Sequence, residues 1–377
     1  MIRIAKYFLL VIVMTSIIIS CNDEAYQLTP EQEVLDEFNF VLADKSADEV
    51  VSQLRTRLIQ ISRKGVAFGH QDATAYGIDW EHSGFPSPSD VLSVTRDYPA
   101  VIGFDIGKIE RRRRENLDGV DFNLMRQLIQ EAHQLGCIVT ISWHADNPIT
   151  RNSPWDTSGD IASILPGGEN SSRLEMYIDL ASEFLSSLVD EQGNPIPIIF
   201  RPWHEMNGDW FWWGEEALSA REHKQLFQST IEMFSDRGVN NLLYCYSPNW
   251  GVDIDDYLEF YPGDEWVDVL GVDVYDFLDG DYTDVAKESI STISRLGYGR
   301  NKPFAFTETG LENVVQNNWW TEKLYPIIQN SGLAYTMVWR NDADVHWFGP
   351  FESHGSAGNF REFAAFTDIL LRNDILQ

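Results

Sequence analysis

Two glutamates stand in surroundings that suit acid–base chemistry at a sugar. Glu205 follows a short apolar run, residues 196–200, which is typical of a strand buried on both faces. The loop after it is rich in aromatic side chains: Trp210, Phe211, Trp212 and Trp213. Because apolar walls raise the pKa of a carboxylic acid and aromatic faces stack on pyranose rings, Glu205 is a candidate acid/base. In the alternative interpretation, Glu205 pairs with Arg201 and the tryptophans are core residues.

The second glutamate, Glu308, ends an apolar run in the segment PFAFTETG, before a glycine-bearing loop. It is the candidate nucleophile, and Tyr275 is a candidate donor of a hydrogen bond that keeps it ionised. A separation of about 5–5.5 Å between the two carboxyl groups would indicate retention of configuration, and about 6.5–9.5 Å would indicate inversion. In the alternative interpretation, Glu308 is a buried residue satisfied by backbone donors at a helix start.

The elements that must position these glutamates alternate along the chain. Short β-like runs occupy Val66–His70, Val101–Asp105, Ile138–Trp143, Ile196–Arg201, Leu242–Ser247, Val267–Asp273, Phe304–Thr307 and Ala334–Trp339. Helical spacing of apolar residues is found at Ala47–Arg63, Asn123–Leu135, Arg173–Val189, Glu216–Phe234, Ala286–Leu296, Trp319–Gln329 and Arg361–Leu371. This alternation predicts an α/β fold, a single (β/α)₈ TIM barrel as one domain over residues 41–377. A doubly wound open sheet is the alternative, although no Gly-rich phosphate loop follows the first run.

Polar and aromatic residues end every one of these runs. They include His70, Asp105, His144, Arg201, Glu205, Tyr246, Asp273, Tyr275, Glu308, Trp339 and Arg340. Since the carboxyl ends of barrel strands meet at one mouth, the pattern predicts a single site there. His70, Arg201, Tyr246 and Asp273 are accordingly expected to bind substrate.

The composition narrows the class of ligand. The chain of 377 residues is 44% hydrophobic and 13% aromatic, with 13 tryptophans, and carries a formal charge of −30. This is ample for a large core. Such acidity disfavours nucleic acid, anionic membranes and polyanionic substrates, because all of them would be repelled. A neutral polysaccharide is the expected partner, and the chain is expected to act as a monomer.

The amino-terminal residues are typical of a targeting segment. Residues 1–20 combine Arg3 and Lys6 with an apolar stretch too short to span a bilayer comfortably. The segment resembles a bacterial lipoprotein signal peptide cleaved before Cys21, with residues 21–40 as a lipidated tether. This predicts lipid anchoring in a bacterial cell envelope, in an outer membrane, with the protein facing the periplasm or the surface. An uncleaved anchor and a plain secretory signal are the alternatives.

Cysteine and histidine spacing argues against a disulfide framework and a zinc site. Cys137 and Cys245 lie in strand-like runs and are expected to be buried free thiols. The sequence contains no CxxC, HExxH or HxH pattern. The charged run Glu110–Glu115, ERRRRE, is interpreted as a solvated or locally salt-bridged loop.

Several motifs carry a resemblance to glycoside hydrolase family 26, the β-mannanases. The clearest are RPWHEMNGDWFWWG and FTETG, and further matches are GHQD, AYGIDW, SWHADNP, YSPNW, GVDVYD and VWRN. They run in the family's order from about residue 65 to 341. The resemblance implies a barrel of the retaining clan, with Glu205 as acid/base, Glu308 as nucleophile, and no metal or organic cofactor.

The same resemblance implies roles for residues around the two glutamates. His204 and Tyr275 are carried onto the catalytic centre, and Trp210 onto a platform on the aglycone side. His144, Trp339 and Arg340 are carried onto glycone-side contacts. Trp155 begins the family's Trp-Asp pair and joins the expected substrate contacts.

One segment departs from the family pattern. Where a Gly-rich turn often precedes the Trp-Asp pair, this chain has Arg151–Pro154. A bulkier loop there would narrow the glycone end of the cleft and favour release of short fragments such as mannobiose from chain ends. A harmless loop variant is the equal alternative.

The leading hypothesis is a retaining hydrolase of β-1,4-mannosidic linkages in mannan and galactomannan, a mannan endo-1,4-β-mannosidase. Within the same fold, hydrolysis of mixed-linkage β-glucan or β-1,3-xylan is the alternative. A non-catalytic glycan-binding lipoprotein and a metal-dependent polysaccharide deacetylase are rivals from other classes. The presence of both glutamates argues against a pure binding protein, which needs no paired acid and nucleophile.

Overall fold

Eight parallel strands close into one barrel in the computed structural model, which describes residues 40–250, 253–278, 280–342 and 345–376. The strands are β1 (Val66–Gln71), β2 (Val101–Asp105), β3 (Ile138–Trp143), β4 (Ile198–Pro202), β5 (Leu242–Tyr246), β6 (Val269–Asp276), β7 (Phe304–Leu311) and β8 (Tyr335–Val338). Because β8 pairs in parallel with both β7 and β1, the sheet has closed into a ring. The predicted (β/α)₈ fold is confirmed, and the open-sheet alternative is wrong.

One helix precedes the first strand, and the other helices follow strands on the outside of the barrel. They are α1 (Glu49–Lys64), α2 (Asp90–Thr95), α3 (Phe122–Gln134), α4 (Ser171–Leu185), α5 (Ala220–Asp236), α6 (Ile254–Glu259), α7 (Tyr282–Arg300), α8 (Tyr325–Ile328) and α9 (Ala357–Ala364). A π-helical turn, Trp320–Leu324, leads directly into α8. Within the described ranges, no helix combines the length and the apolar character that a membrane crossing requires.

Short elements decorate the loops. Two antiparallel ribbons pair Tyr76–Gly77 with Trp80–Glu81 and Asn341–Asp342 with His346–Trp347. Short 3₁₀ turns lie at Ile109–Arg111, Ile161–Ile164, Asp264–Trp266, Glu312–Val314 and Arg372–Ile375. Both ribbons follow barrel strands that meet side by side, β1 and β8, so they build up one side of the mouth.

Amphipathic sequence and capping explain the helices. In α3 the buried residues recur at helical spacing, as Met125, Leu128, Ile129 and Ala132, and Asp121 caps its first turn. Helix α5 starts with a capping box in which Ser219 and Glu222 satisfy each other's backbone N–H groups. Helices α3 and α5 therefore begin where the sequence supplies a cap, and α3 turns one apolar face to the strands.

Helix α1 closes the end of the barrel opposite the mouth. Its buried residues Val51, Leu54 and Leu58 share one apolar cluster with residues of the amino-terminal halves of the strands, such as Val101 and Leu243. Packing of this kind removes water from the barrel floor. Only the carboxyl ends of the strands are left to build a cleft.

Strand β7 contains one extra residue beside Glu308. On β6, Val272 pairs with Phe306 but the next residue, Asp273, pairs with Glu308. The pairing with β8 shifts over the same part of β7. Such a β-bulge re-aims side chains, so Thr307 reaches towards β6 while Glu308 extends into the mouth.

Of three local predictions, one is wrong, one is correct except for a single residue, and one is confirmed. The final helix ends at Ala364, and Ile369–Leu370 pairs in parallel with the first residues of β1, where both of its apolar side chains are buried. The run Glu110–Glu115 contains the predicted local salt bridges, from Arg111 to Asp146 at 3.2 Å and from Arg114 to Asp121 at 2.6 Å. Glu110 itself departs from the prediction, because it is buried and accepts the Trp143 indole N–H at 3.1 Å. Burial raises the pKa of Glu110 to about 7. Cys137 and Cys245 are buried free thiols, as predicted.

Candidate active site

Glu205 lies three residues beyond β4 in an uncommon backbone conformation. Its φ is 54°, a left-handed value that a non-glycine residue adopts only where the surroundings hold it. The backbone N–H of Glu205 donates to the carbonyl of Ser247 at 2.7 Å, which ties this turn to the end of β5. The side chain is thereby fixed at the centre of the mouth.

The surroundings of Glu205 favour its protonated form. Burial, followed by the nearby carboxylates of Asp273 and Glu308, raises the pKa of Glu205 to about 8. Trp210 partly opposes this effect, since its indole N–H donates to Glu205 Oε2 at 3.0 Å. Glu205 can therefore hold a proton at neutral pH, as a general acid must.

Glu308 is bound by donors on both of its oxygens. The Arg201 guanidinium contacts Oε1 in a buried ion pair, and the Tyr275 hydroxyl donates to Oε2 at 2.7 Å. These two contacts fix the orientation of the Glu308 side chain. The predicted contact between Tyr275 and Glu308 is present, and the alternative in which Arg201 pairs with Glu205 is wrong.

The two glutamates are close together. One oxygen from each of Glu205, Asp273 and Glu308 lies within 4.8 Å of the others. This spacing favours the retaining arrangement, with about 5–5.5 Å between the carboxyl groups, over the inverting one with about 6.5–9.5 Å.

Asp273 is a buried anchor for Arg201. Its Oδ2 accepts from Arg201 Nη1 at 2.7 Å, and its Oδ1 accepts from Ser247 Oγ at 2.9 Å and Thr307 Oγ1 at 2.6 Å. Burial raises the pKa of Asp273 to about 7, although Arg201 lowers it. The expectation that Asp273 and Arg201 contact substrate is therefore replaced by a positioning role: together they hold Glu308.

A pair of histidines forms the adjacent wall. Nδ1 of His144 lies 2.8 Å from Asp105 Oδ2, and its Nε2 lies 3.2 Å from Nε2 of His204. Burial opposes the charged form of both rings. Asp105 nevertheless raises the pKa of His144, whereas Arg201 and His144 add to burial in holding the pKa of His204 well below its usual range. Both pKa shifts agree with a charged His144 that donates a hydrogen bond to a neutral His204.

The aromatic residues divide into core and cleft. Trp203, Trp212 and Trp213 are fully buried, so the core interpretation is right for them. Trp155 is exposed and stacks on His144, with ring centroids 6.2 Å apart. Trp339 meets the same histidine edge-on at 5.9 Å. Trp155 and Trp339 thus lie on one side of the glutamates, and Trp210 contacts Glu205 itself.

Arg340 lies in a cluster of charged and phenolic groups beside β8. It contacts Asp118 Oδ1 at 3.1 Å, Asp342 Oδ2 at 2.8 Å and the Tyr76 hydroxyl at 3.2 Å. Burial raises the pKa of Asp118 to about 6 despite this arginine. These contacts anchor the half-buried guanidinium of Arg340 next to the end of β8.

The structure places two predicted substrate contacts away from the cleft. His70 is 1% exposed and lies beneath Gly349, and burial lowers its pKa to about 3. Tyr246 is also 1% exposed, and its hydroxyl donates to the Tyr257 carbonyl at 3.0 Å between the barrel and the helices. The prediction of substrate contact is wrong for both, because each side chain points into packed protein.

Sequence reasoning assigned no role to three residues that hold the site together. Asp105 fixes His144, while Ser247 and Thr307 fix Asp273. All three lie at strand ends, as the predicted site residues do. That position was the available signal, but it does not show which neighbour each side chain reaches.

Comparison with known sequences identifies relatives. The model of Glycosyl hydrolase family 26 matches residues 43–345. A mannan endo-1,4-β-mannosidase from Bifidobacterium adolescentis is 33% identical over an alignment of 359 positions, which covers 87% of this chain and 35% of that protein. A mannan endo-1,4-β-mannosidase from Bacillus subtilis is 31% identical over 231 residues, covering 58% of this chain and 60% of the relative. This chain spans less than two thirds of the length of either relative.

Solved structures extend the likeness to the whole barrel. A β-mannanase of family 26 from Bacteroides ovatus superposes with a TM-score of 0.84 at 40% identity, covering 87% of this chain and 97% of the other. The catalytic domain of a family 26 endo-β-1,4-mannanase from Bacillus sp. JAMB-750 gives 0.82 at 31% identity, over 89% and 95%. The family match covers most of the described barrel, and this chain belongs to glycosyl hydrolase family 26.

Proposed function

We propose that this chain hydrolyses β-1,4-mannosidic linkages in mannan and galactomannan with retention of configuration. The observation that carries the proposal is that carboxyl oxygens of Glu205 and of the donor-bound Glu308 lie within 4.8 Å of each other. Burial raises the pKa of Glu205 to about 8, which suits it to the role of acid. The mannanase names of the relatives support the substrate class.

In the first step, Glu308 attacks the anomeric carbon while Glu205 donates its proton to the departing glycosidic oxygen. The carbon–oxygen bond breaks, and the sugar becomes an ester of Glu308. Arg201 and Tyr275 hold the nucleophile in one orientation, so little motion is needed to reach the transition state.

In the second step, Glu205 acts as a base. Having lost its proton, it takes one from a water molecule that attacks the same carbon and releases Glu308. The Trp210 indole N–H stabilises the charged form of Glu205 that exists between the two steps. Two displacements restore the original anomeric configuration.

The binding surface suits a neutral sugar chain. Trp155 and Trp339 provide apolar faces beside His144, and Arg340 provides hydrogen-bond donors at the same end. Mixed-linkage β-glucan and β-1,3-xylan present other ring shapes to this surface. They are the alternative substrates, and activity on them alone would replace mannan in the proposal.

The test is hydrolysis of unbranched β-1,4-mannan, galactomannan and mixed-linkage β-glucan in parallel. Proton NMR of the first product formed should show the β-anomer before mutarotation, and Glu205→Gln should abolish hydrolysis of mannan. An α-anomer would overturn retention, and unchanged hydrolysis by Glu205→Gln would overturn the site. Full activity in excess chelator would exclude the deacetylase rival.

We also propose a mode of action, an anchor and an oligomeric state. The Arg151–Pro154 segment supports chain-end release of short products, which a time course of viscosity against reducing ends separates from internal cutting. Cys21, which lies outside the described residues, is proposed to carry lipid in a bacterial envelope. Metabolic labelling with palmitate, compared with Cys21→Ala, tests this, and sedimentation velocity tests the monomer.

A further inference from the structure

Two large aromatic side chains stand exposed at the mouth without a place in the mechanism above. Trp250 follows β5 and is 52% exposed, and Phe277 follows β6 and is 75% exposed. Exposed apolar side chains of this size are ordinary when scattered, but these two come from adjacent strands at the rim of the site. Exposed aromatic side chains at the rim of a binding cleft are candidates for contact with the ligand that the cleft binds.

The loop that contains Trp250 is held against the loop that contains Glu205. The Asn207 amide donates to the Asn249 carbonyl at 2.9 Å, and its oxygen accepts the Asn249 N–H at 2.7 Å. Asn249 also forms a parallel bridge with Asp273 on β6. Trp250 is therefore attached to a backbone that both the acid/base loop and the nucleophile's anchor fix in place.

Phe277 stands on an equally defined turn. Its ring lies 6.5 Å from that of Tyr275, the donor to Glu308. Asp276 accepts the backbone N–H of Leu278 at 2.9 Å, while its other oxygen accepts the buried Trp319 indole N–H at 2.9 Å. The turn is anchored on both sides, although the Phe277 side chain itself projects into solvent.

The side of the cleft follows from the position of the acid. A general acid faces the leaving group, so the loops after β4, β5 and β6 adjoin the leaving-group side. Trp155 and Trp339 pack on His144 in the loops around β3 and β8. The family resemblance assigns His144, Trp339 and Arg340 to the other side of the cleaved bond. Trp250 and Phe277 therefore continue from Trp210 away from the cleaved bond.

We propose that Trp250 and Phe277 form an outer platform that binds sugar units on the reducing-end side, beyond the unit that contacts Trp210. This inference rests on the proposed function and adds to it the residues that select longer chains. An aromatic ring that covers one pyranose face contributes enough for roughly a tenfold change in binding. Short substrates cannot reach the platform and gain nothing from it.

The experiment compares Trp250→Ala, Phe277→Ala and the double variant with the parent enzyme. The matched control is Phe85→Ala, because Phe85 is 51% exposed but lines a groove on the outer face of α3. Substrates are mannohexaose, mannotriose and 4-nitrophenyl β-mannobioside. Hydrolysis of mannohexaose in H₂¹⁸O, followed by mass spectrometry, locates the bond that is cut.

We expect kcat/KM for mannohexaose to fall roughly tenfold in each variant. If the glycone end of the cleft is open, the cut also moves towards the reducing end. Values for 4-nitrophenyl β-mannobioside, and for Phe85→Ala on every substrate, should be unchanged. If the parent enzyme hydrolyses mannan and both variants keep its preference for longer substrates, the proposed platform is wrong. A parent enzyme that cuts no mannan overturns the proposed function instead.

Discussion

Tyr275 donates its phenolic hydrogen to Oε2 of Glu308 over 2.7 Å, while Arg201 binds the other oxygen. The nucleophile is thus held at both ends of its carboxylate before any substrate arrives. This fixed orientation lowers the activation free energy of the reaction, because the attacking oxygen is already oriented before the substrate binds. The network behind it, Asp273 with Ser247 and Thr307, holds Arg201 in turn.

Replacing Tyr275 by phenylalanine should lower kcat while the fold is kept. A hydrogen bond to a charged group is worth about 1.5–3 kcal/mol, so we expect a loss of about 10- to 100-fold in kcat/KM on mannohexaose. Tyr282→Phe is the matched control, because Tyr282 shares a 2.7 Å hydrogen bond with Thr309, next to Glu308 but on the helix side. An equal loss of kcat in both variants would show a structural effect only.

Removing the acid should affect substrates according to their leaving group. In Glu205→Ala, release of a poor leaving group needs a proton that is no longer supplied, whereas a dinitrophenolate leaves without one. We expect mannohexaose hydrolysis to fall by about 10²–10⁴-fold and dinitrophenyl mannobioside to form the ester rapidly.

Azide provides the decisive readout for the same variant. It needs no general base, so it should accelerate breakdown of the ester and give a β-mannosyl azide. An α-azide, or no effect of azide on a variant that accumulates the ester, would contradict the assignment of Glu205 and Glu308.

The alkaline limb of the pH profile should belong to Glu205. Its pKa of about 8 means that the acid loses its proton, and kcat/KM falls, as the pH rises through that value. The Trp210 N–H favours the charged carboxylate, so Trp210→Phe should raise the pKa and move the limb upward by up to about one pH unit. Trp339→Phe, in the same cleft but without this contact, should leave the limb in place. A downward shift in Trp210→Phe would contradict the argument.

Much of this site was readable from the order of the residues. A polar residue directly after an apolar run marks the carboxyl end of a buried strand, which is why the positions of Glu205 and Glu308 at the mouth were predicted correctly. The direction in which each side chain points could not be predicted. In strands buried on both faces, the run is apolar throughout, so nothing shows that Tyr246 points towards the helices.

The bulge in β7 is a second feature that could not be predicted from the sequence. The extra residue is defined by pairing with β6 and β8, and neither register is contained in the segment FTETG itself. The contact between Asp105 and His144 joins β2 to the end of β3 in the same way. Such contacts follow from the closed barrel and not from local pattern.

Ser247 offers the sharpest test of the supporting network. Its hydroxyl donates to Asp273 Oδ1 at 2.9 Å and lies 2.8 Å from Thr307 Oγ1, so Ser247→Ala leaves Asp273 with one donor fewer. We expect kcat to fall about tenfold with KM nearly unchanged, because Arg201 and Glu308 lose orientation while the substrate contacts stay. The free energy of unfolding should fall by about 1–3 kcal/mol.

The control for this variant is Ser182→Ala in α4. Ser182 is buried as well, but its hydroxyl has no hydrogen-bond partner among the described residues, so its removal should change neither stability nor kcat appreciably. Kinetics are measured far below the unfolding temperature of both variants, where each is fully folded. Reduced stability with an unaltered kcat in Ser247→Ala would mean that the hydroxyl only supports packing. A lower kcat with unaltered KM would instead mean that the nucleophile depends on a chain of contacts reaching from Ser247 through Asp273 and Arg201.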